Sequence, residues 1–180
     1  MAALTAAVVL VGLLGVVNLL FSFGIIRRLS EHTELLDGFG RRPASEPIVL
    51  EAGRAVADFD ARTVDGARVS RDDLAGTTLV GVFSPGCAAC EVQLDEFVAY
   101  ARTHPGGRRQ ALAVVVGSEA ESASYVERLA AAAQVVREPV DGPVSESLAV
   151  RGFPAFVLLD GDIARVSGSA VGELPAAVAG

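Results

Sequence analysis

Both cysteines of this 180-residue chain fall in one short stretch, Ser84-Pro85-Gly86-Cys87-Ala88-Ala89-Cys90-Glu91. The apolar run before it, Leu79-Val80-Gly81-Val82-Phe83, reads as a buried strand, and Glu91 to Arg102 after it reads as an amphipathic helix. A cysteine pair at a strand-to-helix turn constrains the fold strongly. The strand must end in the core, the helix must start beside it, and the first sulfur must lie at the helix N-terminus. Backbone N–H groups and the helix dipole favour a thiolate there over a thiol. A thiolate with a second thiol in reach can attack a disulfide and then release the mixed disulfide by closing its own. Cys87 and Cys90 are therefore the candidate catalytic pair.

Rival uses of two cysteines fit less well. A zinc site needs four ligands, and the only nitrogen candidates are His32, in the N-terminal region, and His104, at the far end of the helix. Covalent haem attachment requires His directly after Cys90, where Glu91 stands. No metal and no bound cofactor are expected. The flanking Pro85-Gly86 and the turn position argue for an exposed pair rather than two buried structural thiols.

The rest of the chain alternates strand and helix signals. Asp58 to Ala61 and Ala67 to Ser70 flank Val64-Asp65-Gly66, a hairpin with glycine at the left-handed position. Ala111 to Gly117 has the continuous apolar character of a strand buried on both faces. A helix is predicted over 122–133, a short strand at Val135-Val136, and a turn with a short helix from Gly142 to Val150. Asp160-Gly161-Asp162 splits a hairpin of Ala155 to Leu159 and Ile163 to Ser167, and an amphipathic helix is expected over 171–179. This order indicates an α/β domain with a mixed central sheet flanked by helices, over residues 55–180.

The N-terminus has a different character. Ala2 to Ile26 carries no charge over 25 residues, enough at ~1.5 Å per residue to cross a ~30 Å hydrocarbon core with some tilt. A cleaved signal peptide is the rival reading. The segment lacks a basic leading region, is long for a signal core, and runs into Ile25-Ile26-Arg27-Arg28 rather than a small-residue cleavage site. We read residues 1–36 as a transmembrane anchor with a juxtamembrane helix, and 37–54, punctuated by Gly38, Gly40, Pro43, Pro47 and Gly53, as a linker. Arg27, Arg28, Arg41 and Arg42 follow the span, which by the positive-inside rule alone would put the domain in the cytoplasm.

Net charge is −7, which argues against nucleic acid as a partner, because phosphate contacts need clustered cations. Every cation is arginine, so no lysine can tune the cysteines or form a Schiff base.

A second stretch, Val150-Arg151-Gly152-Phe153-Pro154-Ala155-Phe156-Val157, places proline directly before a strand, where its missing N–H is tolerated. With Cys87-Ala88-Ala89-Cys90 upstream, it resembles the loop in which thioredoxin-fold proteins hold a cis-proline beside the disulfide. From Ala55 onward the chain resembles the TlpA/ResA-like branch of the thioredoxin superfamily, and the apolar span followed by Ile-Ile-Arg-Arg resembles membrane-anchored relatives of the methylamine-utilisation thioredoxin-like protein. The shared features are Asp65-Gly66, Phe83-Ser84-Pro85, the cysteine pair and Gly152-Phe153-Pro154, with an added strand–helix unit (111–133) between Cys90 and Pro154.

The resemblance implies that Cys87 attacks, Cys90 resolves, and Phe153 with Pro154 holds an extended segment of a partner protein. The partners implied are dithiol or disulfide proteins, and the location implied is a single-pass membrane protein with an extracytoplasmic domain, opposite to the arginine argument. Three departures stand out. Gly86 occupies the position usually held by Trp, Gly81 that of the buried Asp beneath the disulfide, and Gln93 that of a Glu after the second cysteine. Glu91 and Glu96 are expected to face outward. Two other functions remain open: a non-enzymatic membrane-anchored binding or cofactor-assembly module, and a peroxiredoxin-like peroxidase. Against the latter, Pro85 stands only two residues before Cys87 with no Thr between.

Overall fold

The computed structural model describes residues 47–176, with Leu14 besides. Apart from Leu14, the proposed span and residues 27–46 lie outside the described residues, among which no helix is long and apolar enough to cross a membrane.

Five strands form the central sheet: β3 (Thr77–Phe83), β4 (Ala111–Val116), β5 (Gln134–Glu138), β6 (Ala155–Asp160) and β7 (Ile163–Gly168). Their order across the sheet is β5-β4-β3-β6-β7. β3, β4 and β5 run parallel, while β6 is antiparallel to both β3 and β7, so the sheet is mixed as expected. A separate hairpin of β1 (Asp60–Arg62) and β2 (Arg68–Ser70) pairs Ala61 with Val69, and Gly66 takes a φ of +87° in its turn. Three helices complete the domain: α1 (Ala88–Thr103), α2 (Glu119–Leu129) and α3 (Pro143–Ser147).

The apolar runs lack polar alternation because both sheet faces are covered. Val80 and Val82, Leu112, Val114 and Val116, Val136, and Ala155, Val157 and Leu159 point to one face with Val144 and Leu148 of the α3 region. Leu79 and Phe83, Ala111, Ala113 and Val115, Val135, and Phe156 and Leu158 point to the other, against Leu94 and Phe97 of α1 and Tyr125 and Leu129 of α2. This period of two places an aliphatic core on one side and an aromatic one on the other. In the aromatic core Phe83 meets Phe97, Phe156 and Tyr125 edge-on, with centroids 5.3, 5.7 and 6.4 Å away.

Several boundaries differ from expectation. The packed body starts upstream of residue 55. Val49 and Leu50 are buried in the aliphatic core, the Leu50 N–H donates to the Leu148 carbonyl at 2.8 Å, and that of Gly53 to Ala164 at 2.7 Å. The triplet Ile48-Val49-Leu50 is thus part of the domain although Pro47 and Gly53 give it a linker's punctuation.

Helix α2 starts at Glu119 rather than Ser122, because Ser118 and Glu121 close a capping box at its N-terminus. The terminal helix expected over 171–179 is not formed among the described residues. Val171–Glu173 is a single 3-10 turn, and Leu174 is extended (φ −78°, ψ 146°). Pro175 disfavours helical backbone at the residue before it and ends the turn there.

Candidate active site

The cysteine turn lies at the carboxyl end of β3, the middle strand of the sheet. Gly86 adopts φ +81°, a conformation that side-chain-bearing residues rarely take, and a Cβ there would meet nothing within 4 Å. Backbone conformation, not lack of space, therefore explains why no large side chain stands before Cys87. Cys87 is the N-cap of α1, and its sulfur accepts from the Cys90 N–H at 3.3 Å. The cap puts Sγ at the positive end of a 16-residue helix, where negative charge is favoured.

The two sulfurs differ sharply in environment. Both are free thiols, Cys87 half-buried and Cys90 fully buried. Burial first, and then the hydrogen-bonded sulfur of Cys87, push the Cys90 thiol up to about 12. Cys90 therefore keeps its proton at neutral pH, and the reachable nucleophile is Cys87.

Phe153, distant in sequence and followed by Pro154, lies beside Cys87. The Phe153–Pro154 peptide bond is cis, and the Cys87 thiol donates to the Phe153 carbonyl at 3.7 Å. All four predicted site residues thus come together in one place. The exposed ring of Phe153 also lines a cleft of about 460 Å³ with Val116, Val140, Ser145 and Arg151.

Each of the other positions singled out in the sequence acquires a physical setting. A Cβ at Gly81 would lie 2.5 Å from Cε2 of Phe97, so an aromatic ring fills the space a larger side chain at 81 would need. The side-chain oxygen of Gln93 accepts from the Val171 N–H at 2.6 Å, pinning the C-terminal turn to α1. Glu91 and Glu96 are exposed as expected, but Glu91 is not free: Arg128 of α2 holds it at 3.1 Å and Asp95 at 2.7 Å. His104 bonds the Thr77 carbonyl at 2.9 Å, at the end of β3 opposite the cysteines.

Tyr125 was not anticipated. It stands on the buried face of α2 in the same apolar cluster as Cys90, with Cys87 packed against that cluster. Its signal in the sequence is a helical one, an aromatic residue three positions after Ser122 and four before Leu129, on successive turns of one face.

No protein-family model matches this sequence, and no curated protein does. Solved structures do match in shape. One is the thioredoxin domain of a thiol-disulfide oxidoreductase of Bacteroides vulgatus, with a TM-score of 0.56 at 18% identity, covering 69% of this chain and 93% of that one. The fold is thioredoxin-like. A secreted Mycobacterium tuberculosis disulfide oxidoreductase homologous to Escherichia coli DsbE matches with a TM-score of 0.52 at 18% identity, over 62% of this chain and 82% of its own. StoA of Bacillus subtilis matches with a TM-score of 0.51 at 15% identity, over 64% and 90%. The thioredoxin-like domain described above thus shares its architecture with these proteins at identities that speak for fold alone.

Proposed function

We propose that this chain is a thiol–disulfide oxidoreductase of the TlpA/ResA-like kind, acting on partner proteins through Cys87 and Cys90. The observation that carries this reading is the asymmetry of the pair. A half-buried sulfur caps a helix against a cis-proline loop, and a buried thiol lies one turn behind it. In the reducing direction the Cys87 thiolate attacks one sulfur of a partner disulfide. The partner S–S bond breaks, one partner sulfur leaves as a thiolate, and a Cys87–partner disulfide forms. Cys90 then gives up its proton and attacks Cys87 Sγ, closing the Cys87–Cys90 bond and expelling the second partner thiolate. The partner gains two electrons and this chain loses two; the reverse sequence oxidises a partner. The cis Phe153–Pro154 loop would hold the partner's extended segment, with backbone and ring beside the attacking sulfur. Another dithiol protein supplies the electrons, so no bound cofactor takes part.

Replacing Cys90 by Ser in the full chain tests this. Mixed disulfides through Cys87 should accumulate, and the wild-type chain should reduce insulin disulfides. Absence of both, with Cys87 intact and accessible, would sink the mechanism and favour a binding or assembly module on the same fold.

The proposal includes a tether. The uncharged run of residues 2–26 supports a single membrane span, and likeness to anchored relatives supports an outward-facing domain, against the arginines after the span. Labelling of Cys87 on intact cells by a membrane-impermeant maleimide would place the domain outside; labelling only after lysis would place it in the cytoplasm.

A further inference from the structure

We propose that the cleft beside Phe153 is a subsite for a basic side chain, selecting partners that carry Arg or Lys next to their reactive cysteine. This inference rests on the exchange reading above and names the partner chemistry of the same site.

The cleft is placed to meet a partner at the moment of attack. The Cys87 sulfur lies 3.7 Å from the Phe153 carbonyl oxygen, and the ring of the same Phe153 lines the cleft. A partner whose sulfur reaches Cys87 therefore brings its neighbouring residues over this opening. At about 460 Å³ the cleft has room for a whole side chain.

Its lining is mixed in a way that selects the occupant. Val140 and Phe153 are apolar walls, 72% and 36% exposed, and Val150 continues that surface. Asp141, just before α3, and Glu146, on α3, add two exposed carboxylates. Neither carboxylate is used in a hydrogen bond or ion pair among the described residues. Arg151 brings a cation to the lining, but it already has an interaction of its own.

Three kinds of occupant fare differently. A bulky apolar side chain would cover the carboxylates and strip their water without giving them a partner. An acidic one would meet two like charges. An Arg or Lys side chain can lay its aliphatic stem along Val140 and Val150, set its cation against the Phe153 ring, and bring the charged head to Asp141 and Glu146. Only the basic occupant answers every part of the lining. The net charge of −7 draws the same partner from longer range.

Pentapeptides with blocked ends test this, each with a central cysteine joined to thionitrobenzoate by a disulfide and flanked on both sides by Arg, Leu or Glu. In the reduced full-length chain the Cys87 thiolate attacks the peptide sulfur. The peptide–thionitrobenzoate bond breaks, a Cys87–peptide disulfide forms, and thionitrobenzoate leaves as a coloured thiolate. Each second-order rate is divided by that of the same peptide with dithiothreitol, which has no subsite. The Arg peptide should then react about fivefold or more faster than the Leu peptide, and the Glu peptide more slowly than either. D141N/E146Q should bring the Arg rate to within about twofold of the Leu rate. Asn tolerates the left-handed backbone of residue 141 (φ +61°), so this variant should fold. E127Q/D162N removes the same charge from α2 and the β6–β7 turn, and should keep the wild-type order.

Equal rates for the three peptides in the wild-type chain, or Leu first, would overturn the subsite and leave exchange standing. So would an Arg advantage kept in D141N/E146Q, or lost as fully in E127Q/D162N, since its source would then lie outside the cleft. No release from any of the three, with Cys87 still open to iodoacetamide, would overturn the subsite and the exchange reading together.

Discussion

Two buried polar side chains, one on each side of the sheet, are treated in opposite ways. Glu138 ends β5 on the aliphatic side and is 4% exposed. Its carboxylate accepts from the Val144 N–H at 3.0 Å, from the Ser145 N–H at 2.8 Å, and from the Ser145 hydroxyl. It thereby satisfies the first N–H groups of α3, and Gly142 is packed so tightly on it that a Cβ there would lie 2.5 Å from its carboxyl carbon. Tyr125, on the aromatic side and 2% exposed, carries a hydroxyl with no partner among the described residues. A polar group buried for structure is saturated with hydrogen bonds, because each unmet bond is destabilising. Two buried side-chain atoms among the described residues lack a partner, His104 Nδ1 and this hydroxyl, and the hydroxyl is the one in the half of the core that contains the cysteines.

The largest test of this contrast is E138A. It strips the acceptor from two buried N–H groups and should cost about 3 kcal/mol in urea unfolding of the full chain, with thiol exchange unaffected. G81A comes next. The added methyl meets the Phe97 ring, and overpacking of that kind should cost about 1–3 kcal/mol while shifting the aromatic core beneath the cysteines.

Smaller still is a pH effect on the reduced protein. The Cys90 thiol has its pKa raised from 9.0 to about 12, by burial first. The unfolded chain then gives up this proton before the folded one does. Stability from the neutral buried thiol is whole below about pH 9 and is lost as the pH rises toward 12. The urea midpoint of the reduced wild-type chain should fall more steeply over that window than that of C90A. The smallest effect belongs to Y125F, which removes an unpaired hydroxyl and keeps the ring; it should change stability by less than about 0.5 kcal/mol, or raise it. A loss in Y125F as large as that in E138A would erase the contrast.

What the sequence revealed follows the range over which its signals act. The cysteine turn, the Pro154 loop and strands β3, β4, β6 and β7 were legible because apolar runs bounded by Gly, Pro and Asp are local patterns. The Ser118-x-x-Glu121 box was also local, and it sets the start of α2 better than the apolar spacing from Ser122 did. The packing of Ile48-Val49-Leu50 was hidden because its partners, such as Leu148, lie far along the chain. The same holds for Phe97 over Gly81 and for Arg128 holding Glu91, which exist only once α1 and α2 are laid on the sheet. The apolar spacing over 171–179 suggested a helix, but Pro175 and an extended Leu174 overrode it. Cys87, Cys90, Phe153 and Pro154 stand out in the sequence alone, whereas the burial of Tyr125 beside Phe83 is seen only in the structure.

The central claim is that one sulfur of the pair is poised to attack and the other is held back. Alkylation of the reduced full-length chain with iodoacetamide between about pH 5 and about pH 9, with the modified residue mapped by mass spectrometry, tests it directly. The label should fall on Cys87 across the whole range and leave Cys90 unmodified while the chain stays folded. Equal labelling of both cysteines, or labelling of Cys90 first, would contradict the account.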